Sequence, residues 1–197
     1  MNAEQECFIS VDVETSGPIP GVCSLLSIGA CVIGHPTERF YIELQPLNLH
    51  YDPEALAVTG FNLHTQIIRG IAPEEAMKQF AHWISSVTSP RVKPIFVGFN
   101  AAFDWSFINY YFHVYLGYNP FGFTAVDIKS MYMGVTGCHW QATKSSRIDT
   151  RFNIKNPGSH NALDDALYQA EMFIKIREKK QGEHQHGNVE IHPDQAG

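Results

Sequence analysis

Residues 8–18 read FISVDVETSGP, and the fold turns on how this run is understood. Phe8, Ile9, Val11 and Val13 are β-formers, and Ser16, Gly17 and Pro18 end the run, so it predicts a buried strand. Asp12 and Glu14 interrupt the apolar pattern. Side chains two apart on a strand share a face, so these carboxylates lie side by side in the interior, where they repel each other and lose water. Such an arrangement costs stability and requires a compensating partner.

Two more apolar runs follow at 25–34 and 39–45, across the turn stretches SGPIPG and GHPTE. With residues 7–14 they predict a three-strand antiparallel meander. A short helix is expected over 52–58, with Asp52 as N-cap, Pro53 at the first helical position and Gly60 as the stop. Residues 73–86 place Met77, Phe80, Ala81 and Ile84 at helical spacing. The stretch PIFVGFN is a short buried strand running into the aromatic-rich helix AAFDWSFINYYFHVYL. The same step repeats at TAVD followed by IKSMYMGV, and a last helix is expected over about 161–179. A meander followed by strand–helix units defines an α/β domain with a mixed sheet.

The 197 residues suit one domain over 1–180, with a polar segment at 181–197 expected to be disordered. A net charge of −6 argues against a protein that coats nucleic acid through broad electrostatics. It is compatible with a nuclease, whose pocket carboxylates recruit cations that reverse the local charge. No apolar run approaches the ~18 residues of a membrane span, and MNAEQECF lacks the basic and apolar regions of a signal peptide. The expected location is therefore cytoplasmic, with no membrane partner. Cys7, Cys23, Cys31 and Cys138 form no CxxC pair and read as buried free thiols.

Four places carry polar residues where packing alone calls for apolar ones: Asp12 with Glu14, Asp104, His160 and Asp165. Asn161 is placed to cap the last helix, which puts Asp164 at the third helical position, near a capping-box arrangement. Asp165 is rotated ~100° further, toward the face of Ala162, Tyr168, Gln169 and Met172. Taken singly, Asp104 reads as a first-turn helix charge and His160 as an ordinary loop histidine. Taken together, four carboxylates and a histidine suit hard cations such as Mg2+ or Mn2+, and two such ions can clamp a phosphoryl transfer. A neutral histidine alongside suits a general base.

Three motifs occur in order: Asp12-Val13-Glu14-Thr15-Ser16-Gly17 (DxETxG), Asn100-Ala101-Ala102-Phe103-Asp104, and His160-Asn161-Ala162-Leu163-Asp164-Asp165 (HxAxxD). With them the chain resembles the DEDDh family of 3′–5′ exonucleases over about residues 7–178. That resemblance implies a ribonuclease H-like fold: a five-stranded mixed sheet, three antiparallel strands plus two parallel ones, flanked by helices. It implies two divalent cations, Mg2+ or Mn2+, with Asp12 bridging both. Glu14 and Asp165 complete one ion site, Asp104 serves the second, and His160 is the general base. Thr15, Gly17, Asn100 and Phe103, with Val58 and Thr59 from the stretch 57–61, become the expected contacts of the 3′-terminal nucleotide. Phe103 and Phe107 could both support stacking, but on so aromatic a helix both read first as core. The implied partner is single-stranded nucleic acid with a free 3′ end, and the resemblance admits a homodimer. Residues 137–157 depart from the pattern, with Lys144, Arg147, Arg151 and Lys155 near Trp140 and Phe152. This basic, aromatic-bearing loop reads either as a phosphate holder or as a solvated connection.

The expected activity is metal-dependent 3′–5′ hydrolysis of single strands to nucleoside 5′-monophosphates. The rivals are a nucleic-acid-binding or interaction module that keeps the fold without the chemistry, and an endonuclease of the same fold.

Overall fold

At the centre of the sheet runs β1 (Gln5–Thr15), the strand that carries the opening motif. The computed structural model describes residues 5–155 and 159–186. Strands β2 (Leu25–Val32), β3 (His35–Glu43), β4 (Val92–Gly98) and β5 (Ala125–Asp127) complete a sheet of order β3-β2-β1-β4-β5. The first three strands pair antiparallel, and β4 and β5 join parallel on the other side of β1. This is the mixed five-stranded sheet expected. Helices α1 (Pro53–Thr59), α2 (Leu63–Arg69), α3 (Pro73–Val87), α4 (Ala102–Leu116), α5 (Ile128–Thr136), α6 (Ser145–Phe152) and α7 (Ala162–His186) flank it.

The two-residue period of β1 divides the molecule. Ile9, Val11 and Val13 point into the larger core, with Ile28 of β2, Met77 and Phe80 of α3 and Phe107 of α4. Phe8 lies on the other face and packs on Phe173 of α7, ring centroids 5.2 Å apart. The smaller core there joins Val97, Ile128, Ile148, Met172 and Ile176.

Helix α7 crosses that second face closely because β2 has no side chain where the two meet. Gly29 pairs with Asp12, and a Cβ at Gly29 would stand 2.1 Å from the backbone of Ala162. The start of α7 therefore sits directly over the acidic end of β1.

Several expectations needed correction. Helix α2 arises from a sequence with no full apolar period: Asn62 caps it through Thr65 N–H at 3.1 Å, and only Leu63 and Gln66 are buried. Residues 137–155 of the basic segment are not an open loop. They hold a 3-10 turn at Trp140–Thr143 and the two-turn α6, which anchors through one buried residue, Ile148. Helix α7 continues past the expected end to His186, and residues 187–197 of the expected tail lie outside the described residues. All four cysteines are free; Cys23 and Cys31 are buried, whereas Cys7 and Cys138 are half-buried. Among the described residues no helix is long and apolar enough to cross a membrane.

Candidate active site

Carboxylate oxygens of Asp12, Glu14 and Asp165 all lie within 4.8 Å of one another. Strand β1 supplies the first two from one face, and the first turns of α7 supply the third. Asn161 caps α7, its Oδ1 accepting from Leu163 N–H at 3.1 Å and Asp164 N–H at 3.3 Å. Asp165 Oδ1 accepts from Ser159 N–H at 2.7 Å, so the same carboxylate that joins the cluster also fastens the loop carrying His160. Asp164 does not close a capping box; it accepts from the Ser159 hydroxyl at 2.9 Å. His160 is exposed and has φ 58°, a left-handed conformation that few residues other than glycine adopt.

Asp104 stands apart from the trio. It is buried in the first turn of α4, and its Oδ1 accepts from Val13 N–H at 3.1 Å, between the two acidic residues of β1. Asp127, at the end of β5, braces this turn by accepting from Ala101 N–H at 2.9 Å while capping α5 through Ser130 N–H at 2.7 Å. Sequence reasoning gave Asp127 no role, since an acidic residue ending a strand is ordinary.

Gln169 is the other residue that went unassigned. It is buried on α7, donates through Nε2 to Asp12 Oδ1 and accepts through Oε1 from Phe99 N–H at 3.0 Å. Both ends of the amide are used, so the orientation of the Asp12 carboxylate is fixed from α7. Its place on the Asp165 face of the helix is the one sign of this in the sequence.

Two cavities border the trio. One, of 380 Å³, is lined by Glu14, Thr15, Gly17, Val58, Thr59 and Phe103, so five of the six expected nucleotide contacts converge. Asn100 is not among its lining residues; it holds φ 63° and its carbonyl accepts from Phe103 N–H at 3.0 Å. Asp52 and Glu54 also line this cavity, which the sequence did not indicate. Thr15 Oγ1 donates to Gly17 carbonyl at 2.9 Å and so shapes the turn at the rim. Phe107 is fully buried, as expected of a core residue. The second cavity, of 400 Å³, is lined by Asp12, His160, Asp165, Phe99 and Gln169, with Ser145 and Ser146 of α6 at its far wall.

Burial raises the pKa of all four carboxyl groups. Asp12 is pushed well above the ordinary carboxylate range, first by desolvation and then by repulsion from Asp104, Asp165 and Glu14, with the Gln169 amide opposing. Glu14 is pushed up to about 7 by burial and then by Asp165. Asp104 is raised by desolvation against the pull of Val13 N–H, and Asp165 is raised by desolvation against Ser159 N–H and His160. Carboxylates this crowded hold protons toward neutrality unless a cation replaces them. An all-oxygen donor set of this charge fits a hard divalent ion.

A buried acidic cluster of this kind suits metal-assisted cleavage of phosphodiesters, and the sequence relatives identify a 3′–5′ exonuclease. The family model of the Rv2179c-like 3'-5' exoribonuclease domain matches residues 7–177. The chain belongs to that family. It is 53% identical over 183 residues to the 3'-5' DNA exonuclease Cap18 of Escherichia coli, covering 91% of this chain and 98% of the relative. It is 27% identical over 187 residues to ribonuclease T of Vibrio campbellii, covering 87% and 85%. Among solved structures, the nuclease domain of 3'hExo, a DEDDh family member bound to rAMP, superimposes with a TM-score of 0.72 at 16% identity, covering 92% of this chain and 96% of that one. E. coli Exonuclease I in complex with a dT13 oligonucleotide gives 0.66 at 17% identity, covering 93% and 43%.

Proposed function

We propose that this exonuclease removes nucleoside 5′-monophosphates from the 3′ end of single-stranded nucleic acid, with DNA as the first choice of substrate. The observation that carries the reading is the meeting of Asp12, Glu14 and Asp165 oxygens within 4.8 Å at the border of two cavities. DNA is preferred because the relative at 53% identity is a DNA exonuclease.

Asp12, Glu14 and Asp165 would hold one divalent cation, and Asp12 with Asp104 would serve a second. Bound there, Mg2+ or Mn2+ supplies positive charge for the phosphodiester oxygens as negative charge builds on them. Gln169 keeps Asp12 turned toward the cluster. The terminal nucleotide sits in the Glu14 cavity, with its base against Val58 and Phe103 and its sugar by Thr15 and Gly17. That seat is open only to an unpaired end, because the base must be free of its complement to enter. His160 takes the proton from the attacking water. Its exposed position at the cavity mouth lets the proton pass on to solvent.

The test compares single-stranded DNA and RNA of one sequence, each labelled at its 3′ end, and a circular single-stranded DNA, with Mg2+, Mn2+ or EDTA. Mononucleotide from the first time point, an intact circle and silence in EDTA are expected. A nicked circle would establish endonuclease action instead, and undiminished hydrolysis in EDTA would remove the metal assignment.

A further inference from the structure

Lys129, in the first turn of α5, rests on two aromatic rings at the rim of the cavity that holds Asp12 and His160. Its Nζ stands 4.4 Å from the ring centroid of Trp140 and 5.6 Å from that of Phe99. Phe99 lines the cavity, and its backbone N–H is pinned by Gln169. Trp140 is 49% exposed, so its ring adds little to the core, and no role described above uses it. Among the described residues Lys129 forms no ion pair; its ammonium is engaged by ring faces alone. Lys144 and Arg147 flank Ser145 and Ser146, which line the same cavity, so further cationic residues border this side. Asp149, an acidic residue of that wall, is bonded by the Tyr168 hydroxyl at 2.6 Å.

We propose that Trp140, Lys129 and Phe99 form a stacking platform for the nucleotides upstream of the bond to be cut. The proposal rests on the exonuclease reading above: with the terminal nucleotide in the Glu14 cavity, the rest of the strand leaves past the cavity lined by Asp12 and His160. An aromatic face accepts any base, and an adjoining cation answers the phosphate between two bases, so such a platform grips single strands with little regard to sequence. The ring–ammonium contact also orients the indole, so less freedom is lost when a base arrives. Paired bases cannot stack on it, which adds a second reason for single-strand preference.

The experiment uses the full chain, its Trp140→Ala, Trp140→Phe and Lys129→Ala variants, and oligo-dT of two, four and eight nucleotides. Hydrolysis is followed with Mn2+, and binding of 5′-fluorescein-dT8 is followed by anisotropy in EDTA across a salt series. In the wild type KM should fall as the strand lengthens. Trp140→Ala should lose about 10-fold of that length-dependent gain, read in KM, and Trp140→Phe should restore most of it. Lys129→Ala should reduce the salt slope of binding by about 0.7. A Trp140→Ala variant that is folded by circular dichroism and keeps the wild-type length dependence overturns the platform. If the wild type cleaves none of the strands, the exonuclease reading fails by itself. Anisotropy then decides the platform separately: dT8 affinity that depends on Trp140 supports it, and affinity indifferent to Trp140 refutes it.

Discussion

The two faces of β1 do opposite work on one backbone. On one side Ile9, Val11 and Val13 are sealed against α3 and α4, and their burial favours folding. On the other side Asp12 and Glu14 sit among further acids whose repulsion and desolvation oppose it. Ser10, on the same side, has a buried hydroxyl with no hydrogen-bond partner among the described residues. The alternation of a strand thus keeps the stabilising side chains away from the side that holds a reactive site. The difference shows why stability and activity should respond to different substitutions only two or three residues apart.

The sharpest break in that contrast is Asp12→Ala. Hydrolysis should fall by more than about 10³-fold, with the fold kept and the metal-free melting temperature unchanged or raised. Turnover near the wild-type level would remove Asp12 from the ion site. His160→Ala should lower kcat by about 10²–10⁴-fold while calorimetry still finds divalent ions bound. Lost ion binding would make the histidine a ligand rather than a base. Across the strand, Ile9→Ala should cost about 2–5 kcal/mol in urea unfolding, with kcat retained below the new transition. A large kcat loss in folded Ile9→Ala protein would show that the faces are not independent.

Two smaller effects sharpen the picture. Gln169→Ala should weaken divalent-ion affinity by about 10-fold, because Asp12 loses its orienting donor. An unchanged titration curve would leave the amide with a packing role only. The last effect is on stability against pH. Glu14 has a folded pKa of about 7 against an ordinary 4.5, so the folded chain binds more protons than the unfolded one between these values. Its contribution to stability is complete below about pH 4.5 and is lost as pH rises through about 7. In EDTA the melting temperature should therefore fall across that window by less in Glu14→Gln than in the wild type, and saturating Mg2+ should reverse the trend. Parallel curves for the two proteins would remove Glu14 as the source.

Much of this was legible because function disturbs pattern. Asp12 and Glu14 stand out against a β-forming run, and the meander, the Asp52–Pro53 helix start and the strand–helix steps follow from period and caps. Asp165 was separable from Asp164 by helix geometry alone, and the structure places only the former in the cluster. What stayed hidden was ordinary in composition. Gln169 looks like any polar helix residue until its two hydrogen bonds are seen. Helix α6 has one buried anchor and no capping side chain, so neither period nor cap announced it. The Lys129–Trp140 contact joins separate elements, α5 and the 3-10 turn, so no local pattern could announce it.

Asp12 and Gln169 are 157 residues apart in sequence, and Asp165 joins them from the same late helix. A ribosome must therefore deliver almost the whole domain before these three side chains can meet. Chains that stall or are clipped ahead of α7 carry the acidic strand but nothing to complete it. On the proposed reading, a copy cut short before α7 should hydrolyse no nucleic acid.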